Sequence, residues 1–199
     1  MLDRARRAWA GRGDRAGGSG KAPGSARGRA GSLTLIDHDM TTLDVPQRFD
    51  LVILALNSLL LLEGRAAQGR ALSVMRAHLA PQGRAVIDVW LPNAEDLELY
   101  DGRQVLDWVR TDPETGERIA KTWSATYDAA SDTATIRTSF ESEAGSRAQR
   151  QETIRFIGAR ELLDLAHGAG LEPKEVIGDY SGTPWSAASE RVVLIAGIG

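Results

Sequence analysis

The 199-residue chain has no cysteine and almost no histidine. Without cysteine, disulfide bonds, thiolate metal sites and cysteine nucleophiles are excluded. The three histidines, His38, His78 and His167, lie far apart in the sequence. We therefore expect no metal site, although carboxylate ligands stay open as an alternative. His78 and His167 fall in predicted helices, and we expect both at the surface.

Long apolar runs and a strong net charge are also lacking. The longest central run, residues 51–56 and then 59–62, is interrupted by Asn57 and Ser58 and is too short to cross a bilayer. A formal net charge of −3 provides no general attraction for nucleic acid or for an acidic membrane. No secretory leader follows Met1, so a cytoplasmic location is the expectation. We expect neither nucleic acid nor membrane as a partner.

A glycine-rich stretch, GDRAGGSGKAPGSARGRAG at residues 13–31, suggests a phosphate-binding loop at first sight. It does not match the P-loop pattern, because Arg15 stands where the first glycine belongs and Ala22 follows Lys21. A dinucleotide-binding turn follows a strand and opens a helix, whereas this stretch follows a predicted helix and precedes a predicted strand. We therefore predict a flexible loop over residues 11–31.

Hydrophobic periodicity predicts alternating helices and strands in the first half of the chain. Helical spacing predicts a short helix at residues 1–10 and an amphipathic helix at residues 64–80, which Pro81 and Gly83 end. Strands are predicted at residues 32–36, 50–55 and 84–90. Continuous apolar strands joined through a helix by short connections are typical of a parallel sheet covered on both faces.

The second half begins with strand-like runs separated by turn signals, which predict an antiparallel β insertion over residues 101–157. Its strands are predicted at residues 104–110, 119–127, 133–141 and 149–157. A helix at residues 160–169 and strands at residues 171–177 and 191–198 complete the pattern. The whole predicts one α/β domain over residues 1–199.

Four segments together resemble the class I S-adenosylmethionine-dependent methyltransferases that act on small molecules. They are RFDLVILALNSLLLL, LAPQGRAVIDVWLP, LLDLAHGAGLEPKEVIGDYSG and SERVVLIAG. The resemblance implies a Rossmann-like sheet in which these segments contribute the fourth to seventh strands, with the β insertion after the fifth. It implies S-adenosylmethionine as cofactor and methyl transfer to O, N or C of a small-molecule acceptor.

The family's acidic, glycine-rich turn after its first strand has no counterpart in this sequence, and MLDRARRAW looks like the helix after the second strand. The resemblance therefore implies an N-terminally truncated sheet. A truncated or degenerate, non-catalytic methyltransferase-like protein is the alternative function. Without the first strand, the fourth would expose an apolar edge, and a homodimer through that edge is one way to cover it.

The resemblance also implies cofactor-binding positions. Asp39 and Met40 follow the third strand, where relatives contact adenine, although Asp39 can equally stabilise a turn. Ala55, Leu56 and Asn57 follow the fourth strand, at the edge where open α/β sheets bind ligands. Asn57 is equally consistent with binding the methionyl part of the cofactor, binding the acceptor, or capping a helix.

Candidate acceptor-binding residues are Asn57, Trp90 at the end of the fifth strand, and Tyr180 and Trp185 in the last loop. Asp88 lies among apolar neighbours and either points into the site or belongs to a structural network at the end of the sheet. The catalytic residue stays unknown, because Leu61 occupies the position where several relatives carry a histidine.

Overall fold

The structure is a computed structural model that describes residues 33–199. The chain divides into two compact units, Met1–Asp39 and Met40–Gly199. The helix predicted at residues 1–10 and the loop predicted at residues 11–31 lie outside the described residues.

The strand predicted at residues 32–36 is wrong over residues 33–36, which are neither helix nor strand. Apolar, extended sequence becomes a strand only when a neighbouring strand satisfies its backbone N–H and C=O groups. Within the described residues, 33–36 have no such neighbour.

The second unit contains eight strands and four short or medium helices. In chain order they are β1 (Phe49–Leu54), a 3₁₀ helix (Ser58–Leu61), α1 (Gly64–Ala77), β2 (Leu79–Trp90), α2 (Ala94–Glu98), β3 (Val105–Thr111), β4 (Arg118–Asp128), β5 (Thr133–Ser142), β6 (Arg147–Arg155), α3 (Ala159–Gly168), β7 (Leu171–Ile177) and β8 (Arg191–Ile198).

These strands form two four-stranded sheets. The first has the order β1-β2-β8-β7, in which β1 and β2 are parallel and β8 is antiparallel to both of its neighbours. The second is the insertion, an antiparallel meander in the order β3-β4-β5-β6. The predicted α/β sheet with an antiparallel insertion is confirmed.

The core forms where α1 and α3 pack on the first sheet. In α1, Ala71, Leu72 and Met75 are buried at helical spacing. Buried Leu162 in α3 belongs to the same cluster, as does Ile87 of β2. The apolar faces that the sequence predicts therefore meet in one core.

The junction between α1 and β2 differs from the prediction, because the helix ends at Ala77 and the strand already begins at Leu79. His78 between them is buried, so its predicted surface position is wrong. The N–H of Val45 donates to Nε2 of His78 (3.0 Å), which leaves Nδ1 to donate to the carbonyl of Val74 (2.7 Å). The ring thus satisfies backbone groups of two segments.

Aromatic contacts join the insertion to the first sheet around Phe156. Its ring centroid lies 5.8 Å from Trp90, 6.0 Å from Tyr127 and 6.4 Å from Tyr100. Tyr100 in turn lies 6.3 Å from Trp123 of β4. These contacts hold the insertion beside the end of β2.

The backbones of β1 and β2 approach each other closely at Gly83, and a substitution there tests this approach. A Cβ at this position would lie 2.7 Å from the carbonyl oxygen of Phe49. We expect Gly83→Ala to lower the free energy of unfolding by about 1–3 kcal/mol, because backbone must shift to relieve the overlap. Urea denaturation measures it. Gly168→Ala is the control: its Cβ meets no heavy atom within 4 Å, and helix propensity predicts a gain of up to ~1 kcal/mol. Equal stability of the two variants would contradict this account.

Candidate functional site

The carboxyl ends of the parallel strands β1 and β2 lie at one edge of the first sheet, because Leu54 aligns with Ile87. Ala55, Leu56 and Asn57 follow β1 directly, and Trp90 ends β2. The structure therefore brings these four predicted site residues to the same edge. Ligands of open α/β sheets bind at this edge.

Leu56 and Asn57 both adopt left-handed backbone conformations, with φ of 55° and 61°. Such a value costs about 1–2 kcal/mol for leucine, whereas asparagine adopts it more readily. The Leu56 side chain is 84% exposed, so packing of that side chain does not compensate the cost. A strained conformation persists only where the surrounding structure imposes it, and such residues concentrate at functional sites.

Backbone hydrogen bonds close this turn onto the 3₁₀ helix. The N–H and the hydroxyl of Ser58 both donate to the carbonyl of Ala55, at 3.2 and 2.6 Å. The N–H of Leu60 donates to the carbonyl of Asn57 (2.9 Å). The turn is therefore fixed from its carboxyl side by the helix that follows.

The Asn57 side chain ties the turn to β2. Its Oδ1 accepts from the backbone N–H of Trp90 at 2.7 Å. Asn57 occupies the N-cap position of the 3₁₀ helix but makes no side-chain capping bond, so helix capping is not the role of this side chain. Within residues 33–199 no hydrogen bond of its Nδ2 is described, which leaves the amide able to donate to a ligand.

Asp88 sits in a network at the end of the sheet, one of the two alternatives for this residue. It is 3% exposed. Its Oδ2 accepts from the N–H of Leu56 (3.3 Å) and the hydroxyl of Tyr180 (2.7 Å), and its Oδ1 accepts from Nη1 of Arg191 (2.5 Å). A buried carboxylate needs such donors, because unpaired burial of a charge is costly.

Tyr180 lies at this edge, where its hydroxyl makes two hydrogen bonds. It donates to Asp88 and accepts from Nη1 of Arg191 at 2.7 Å. The hydrogen bond to the Asp88 carboxylate raises the pKa of Tyr180 above its ordinary value, so the phenol stays protonated at neutral pH. What Tyr180 offers a ligand is its exposed ring, over which the Arg191 guanidinium lies 4.6 Å from the centroid.

Arg191 is the site residue that the sequence interpretation missed. A signal was present, because a lone acid inside an apolar strand requires a buried or half-buried donor. Arg191 begins β8 and aligns with Trp90, and side chains two residues apart on a strand share a face. Arg191 therefore shares a face with Asp88. Only the register of β2 against β8 reveals this pairing.

The loop between β7 and β8 is held by its own hydrogen bonds. Oδ1 of Asp179 accepts from the N–H groups of Ser181 (2.8 Å) and Thr183 (3.1 Å). The pKa of Asp179 is lowered most by a hydrogen bond from the Thr183 side chain, and further by these two backbone bonds. Trp185 is tied at the end of β7, where its N–H donates to the carbonyl of Val176 (3.1 Å). Trp185 makes no described contact with the Asp88 network.

The two predicted adenine contacts fall in different units. Asp39 ends the first unit, where its carbonyl lies 3.1 Å from Nδ1 of His38. Met40 begins the second unit and lines an apolar pocket of about 170 Å³. This pocket runs along the flank of β1 and α1, from His78 to Leu54.

Residues 33–199 contain neither a metal-binding cluster nor a membrane-spanning helix. No group of three or more histidine, aspartate or glutamate side chains is arranged to hold a metal ion in this range. None of its helices has the length and hydrophobicity needed to cross a membrane.

Several solved structures are similar to this one. An S-adenosylmethionine-dependent methyltransferase from Clostridium acetobutylicum aligns with a TM-score of 0.74 and 16% identity, over 100% of this chain and 71% of that chain. The CcbJ methyltransferase from Streptomyces caelestis aligns with a TM-score of 0.66 and 21% identity, over 81% and 62% of the two chains. The sugar N-methyltransferase KedS8 from a Streptoalloteichus species aligns with a TM-score of 0.62 and 22% identity, over 81% and 61%.

The fold is that of the class I S-adenosylmethionine-dependent methyltransferases. No protein-family model matches the chain, and no curated protein does. The chain spans 71% of the first of these methyltransferases and 62% and 61% of the other two.

The methyltransferase fold that the resemblance implied is confirmed. The segments assigned as the fourth, fifth, sixth and seventh family strands are β1, β2, β7 and β8. β8 is antiparallel to β2. The left-handed turn therefore follows the strand that the resemblance assigns as the fourth.

The strain in this turn is testable at Leu56. Glycine adopts the left-handed conformation without steric cost, and the exposed leucine loses little packing. Relief of roughly 1–2 kcal/mol of strain, less the entropy cost of glycine, predicts a rise of about 0.5–1 kcal/mol in the free energy of unfolding for Leu56→Gly.

The matched control is Leu99→Gly. Leu99 is also exposed (68%), but its φ of −72° suits leucine. Glycine there relieves no strain, so we expect a fall of about 0.5–1 kcal/mol. Urea denaturation of both variants measures the difference, and a destabilised Leu56→Gly would argue against strain.

Proposed function

We propose that this protein transfers a methyl group from S-adenosylmethionine to O, N or C of a small-molecule acceptor. The observation that carries the proposal is the left-handed turn at Leu56 and Asn57, with an available amide donor, after the fourth strand of a methyltransferase fold. When bound, S-adenosylmethionine supplies an already activated methyl group on its sulfonium.

The residues at this edge fit the polar end of such a cofactor. Nδ2 of Asn57 is placed to donate to an anionic or carbonyl oxygen, such as those of the methionyl carboxylate. Ala55 and Leu56 supply the backbone that approaches the ligand. We further propose that Met40 contacts the adenine, and for Asp39 the contact of its carboxylate with the exocyclic amine stays a prediction from the sequence.

Aromatic side chains form the proposed acceptor side. Trp90 ends β2 beside Asn57, the ring of Tyr180 is exposed, and Trp185 lies farther along the same loop. Methyl transfer requires in-line approach of the acceptor to the methyl group, so holding the acceptor in place contributes much of the rate. We propose no role for Tyr180 as a base, because its hydroxyl already donates to Asp88 and accepts from Arg191.

The cofactor role of Asn57 is tested with Asn57→Asp. This variant keeps an oxygen to accept from the N–H of Trp90 but replaces the proposed donor with a carboxylate oxygen. Loss of a hydrogen bond to a charged group is worth about 1.5–3 kcal/mol, so we expect affinity for S-adenosylmethionine to fall by about 10- to 150-fold. Isothermal titration calorimetry of the full chain measures it.

Gln104→Ala, a change just before β3 of the insertion, is the control and should bind like the wild type. A wild-type chain that binds neither S-adenosylmethionine nor S-adenosylhomocysteine would contradict the proposed function and favour the non-catalytic alternative. If Asn57→Asp binds S-adenosylmethionine with wild-type affinity, Asn57 is not part of the cofactor site, but the proposed function is not contradicted.

We also propose a homodimer in which the outer edges of two β1 strands pair antiparallel about a two-fold axis. Among the described residues no strand pairs with this edge, and Leu51 and Ile53 are 53% and 56% exposed. An unpaired apolar edge is a template for another strand. Around a two-fold axis the same edge serves both copies.

A second copy is a better occupant than the start of this chain. Residues 1–32 contain no valine, isoleucine, phenylalanine, tyrosine or threonine and are rich in glycine. Strands are enriched in those residues and depleted in glycine. The β1 segment FDLVIL, in contrast, consists mainly of strand formers and is present in every copy.

Ile53→Lys tests the dimer, because a charge on an edge strand opposes edge-to-edge pairing. We expect the wild type to elute at the mass of a dimer and Ile53→Lys at that of a monomer in size-exclusion chromatography with light scattering. Leu106→Lys, an equally exposed position on β3, is the control and should stay dimeric. A monomeric wild type at micromolar concentration would refute the dimer.

A further inference from the structure

The Asp88 carboxylate collects donors from three segments that are remote in sequence. They are the turn after β1, the loop between β7 and β8, and the first residue of β8. At 3% exposure, Asp88 has little access to water, so these donors supply its solvation.

The geometry of the network is closed. Oδ2 is shared by the N–H of Leu56 (3.3 Å) and the hydroxyl of Tyr180 (2.7 Å). Nη1 of Arg191 donates both to Oδ1 (2.5 Å) and to the Tyr180 hydroxyl (2.7 Å). Each group therefore restricts the position of the other two.

Stability alone does not require an acid at this position. Apolar residues of similar volume commonly replace a buried ion pair without loss of stability. What an apolar side chain cannot supply is an acceptor aimed at the Leu56 N–H. That N–H belongs to a residue in a left-handed conformation, which needs outside support to persist.

We infer that Asp88 is a positioning residue: with Tyr180 and Arg191 it holds the left-handed turn at Leu56 in the conformation that binds the cofactor. The inference rests on the proposed function for its link to the cofactor. Its structural part, that the network orients the turn, stands independently.

One consequence is a coupling between the two proposed halves of the site. Tyr180, on the proposed acceptor side, and Leu56, on the proposed cofactor side, bond to the same oxygen of Asp88. Removing the Tyr180 hydroxyl therefore alters how Asp88 holds the turn, although Tyr180 has no described bond to the turn itself. If Asp88 served only as the ion-pair partner of Arg191, loss of the Tyr180 hydroxyl would not affect the hydrogen bond of the Leu56 N–H.

The direct test is hydrogen–deuterium exchange at the Leu56 amide, whose described acceptor is Asp88. We compare the full-length wild type with Asp88→Asn and Tyr180→Phe. Asparagine has one oxygen, which the charged Arg191 attracts, so its NH₂ faces the Leu56 N–H and the Tyr180 hydroxyl. We therefore expect the Leu56 amide to exchange about tenfold faster, as for a lost bond of ~1.4 kcal/mol. Tyr180→Phe should accelerate it about threefold.

The second readout is the dissociation constant of S-adenosylmethionine. We expect Tyr180→Phe to lower the urea midpoint, because Asp88 loses one donor, and to weaken binding about three- to tenfold under conditions in which the variant is fully folded. The control is Asp107→Asn, which removes an ion pair with Lys121 (2.7 Å) in the insertion and should alter neither readout.

The outcomes separate the two proposals. Unchanged Leu56 exchange in Tyr180→Phe overturns the inference, whether or not Asp88→Asn folds. Faster exchange in a protein whose wild type binds no cofactor supports the positioning of the turn and contradicts the proposed function. Faster exchange with unaltered cofactor affinity overturns the link between the network and the cofactor.

Discussion

Burial of the Asp88 carboxylate imposes a condition on the whole carboxyl edge of the sheet. β2 lies between β1 and β8, so a charge near its end is remote from solvent on either side. Donors must then come from both neighbours, and they do: the Leu56 N–H from beyond β1 and the guanidinium of Arg191 from β8. The edge is consequently ordered around one group.

The left-handed turn depends on β2 through two anchors. The Leu56 N–H bonds to Asp88, and one residue later the Asn57 side chain accepts from the backbone of Trp90. Glycine at position 56 would relieve strain, whereas glycine at position 57 would remove both the oxygen that bonds to β2 and the amide NH₂. Asparagine suits position 57 because its side chain has both an acceptor oxygen and an NH₂ donor, which glycine lacks.

Much of the fold was predictable because it follows from local patterning. β1, α1, β7 and β8 appear within a few residues of their predicted bounds, since their apolar residues repeat with the period of the element. The left-handed turn was not predictable, because Leu56 sits in an apolar run and takes its conformation from Asp88, far along the chain. Arg191 and the buried His78 escaped prediction for the same reason: their partners become neighbours only when the sheet and α1 assemble.

β1 presents two surfaces of different chemistry, and this difference bears on what each can bind. Its flank borders an apolar pocket whose one polar side chain, His78, already bonds to Val45 and Val74. A ligand with a carboxylate needs donors that this flank lacks, whereas the carboxyl end offers the amide of Asn57. Antiparallel pairing of two β1 edges would place the two carboxyl ends at opposite edges of a continuous sheet. Dimerisation along the edge and ligand binding at the end are therefore compatible on one strand.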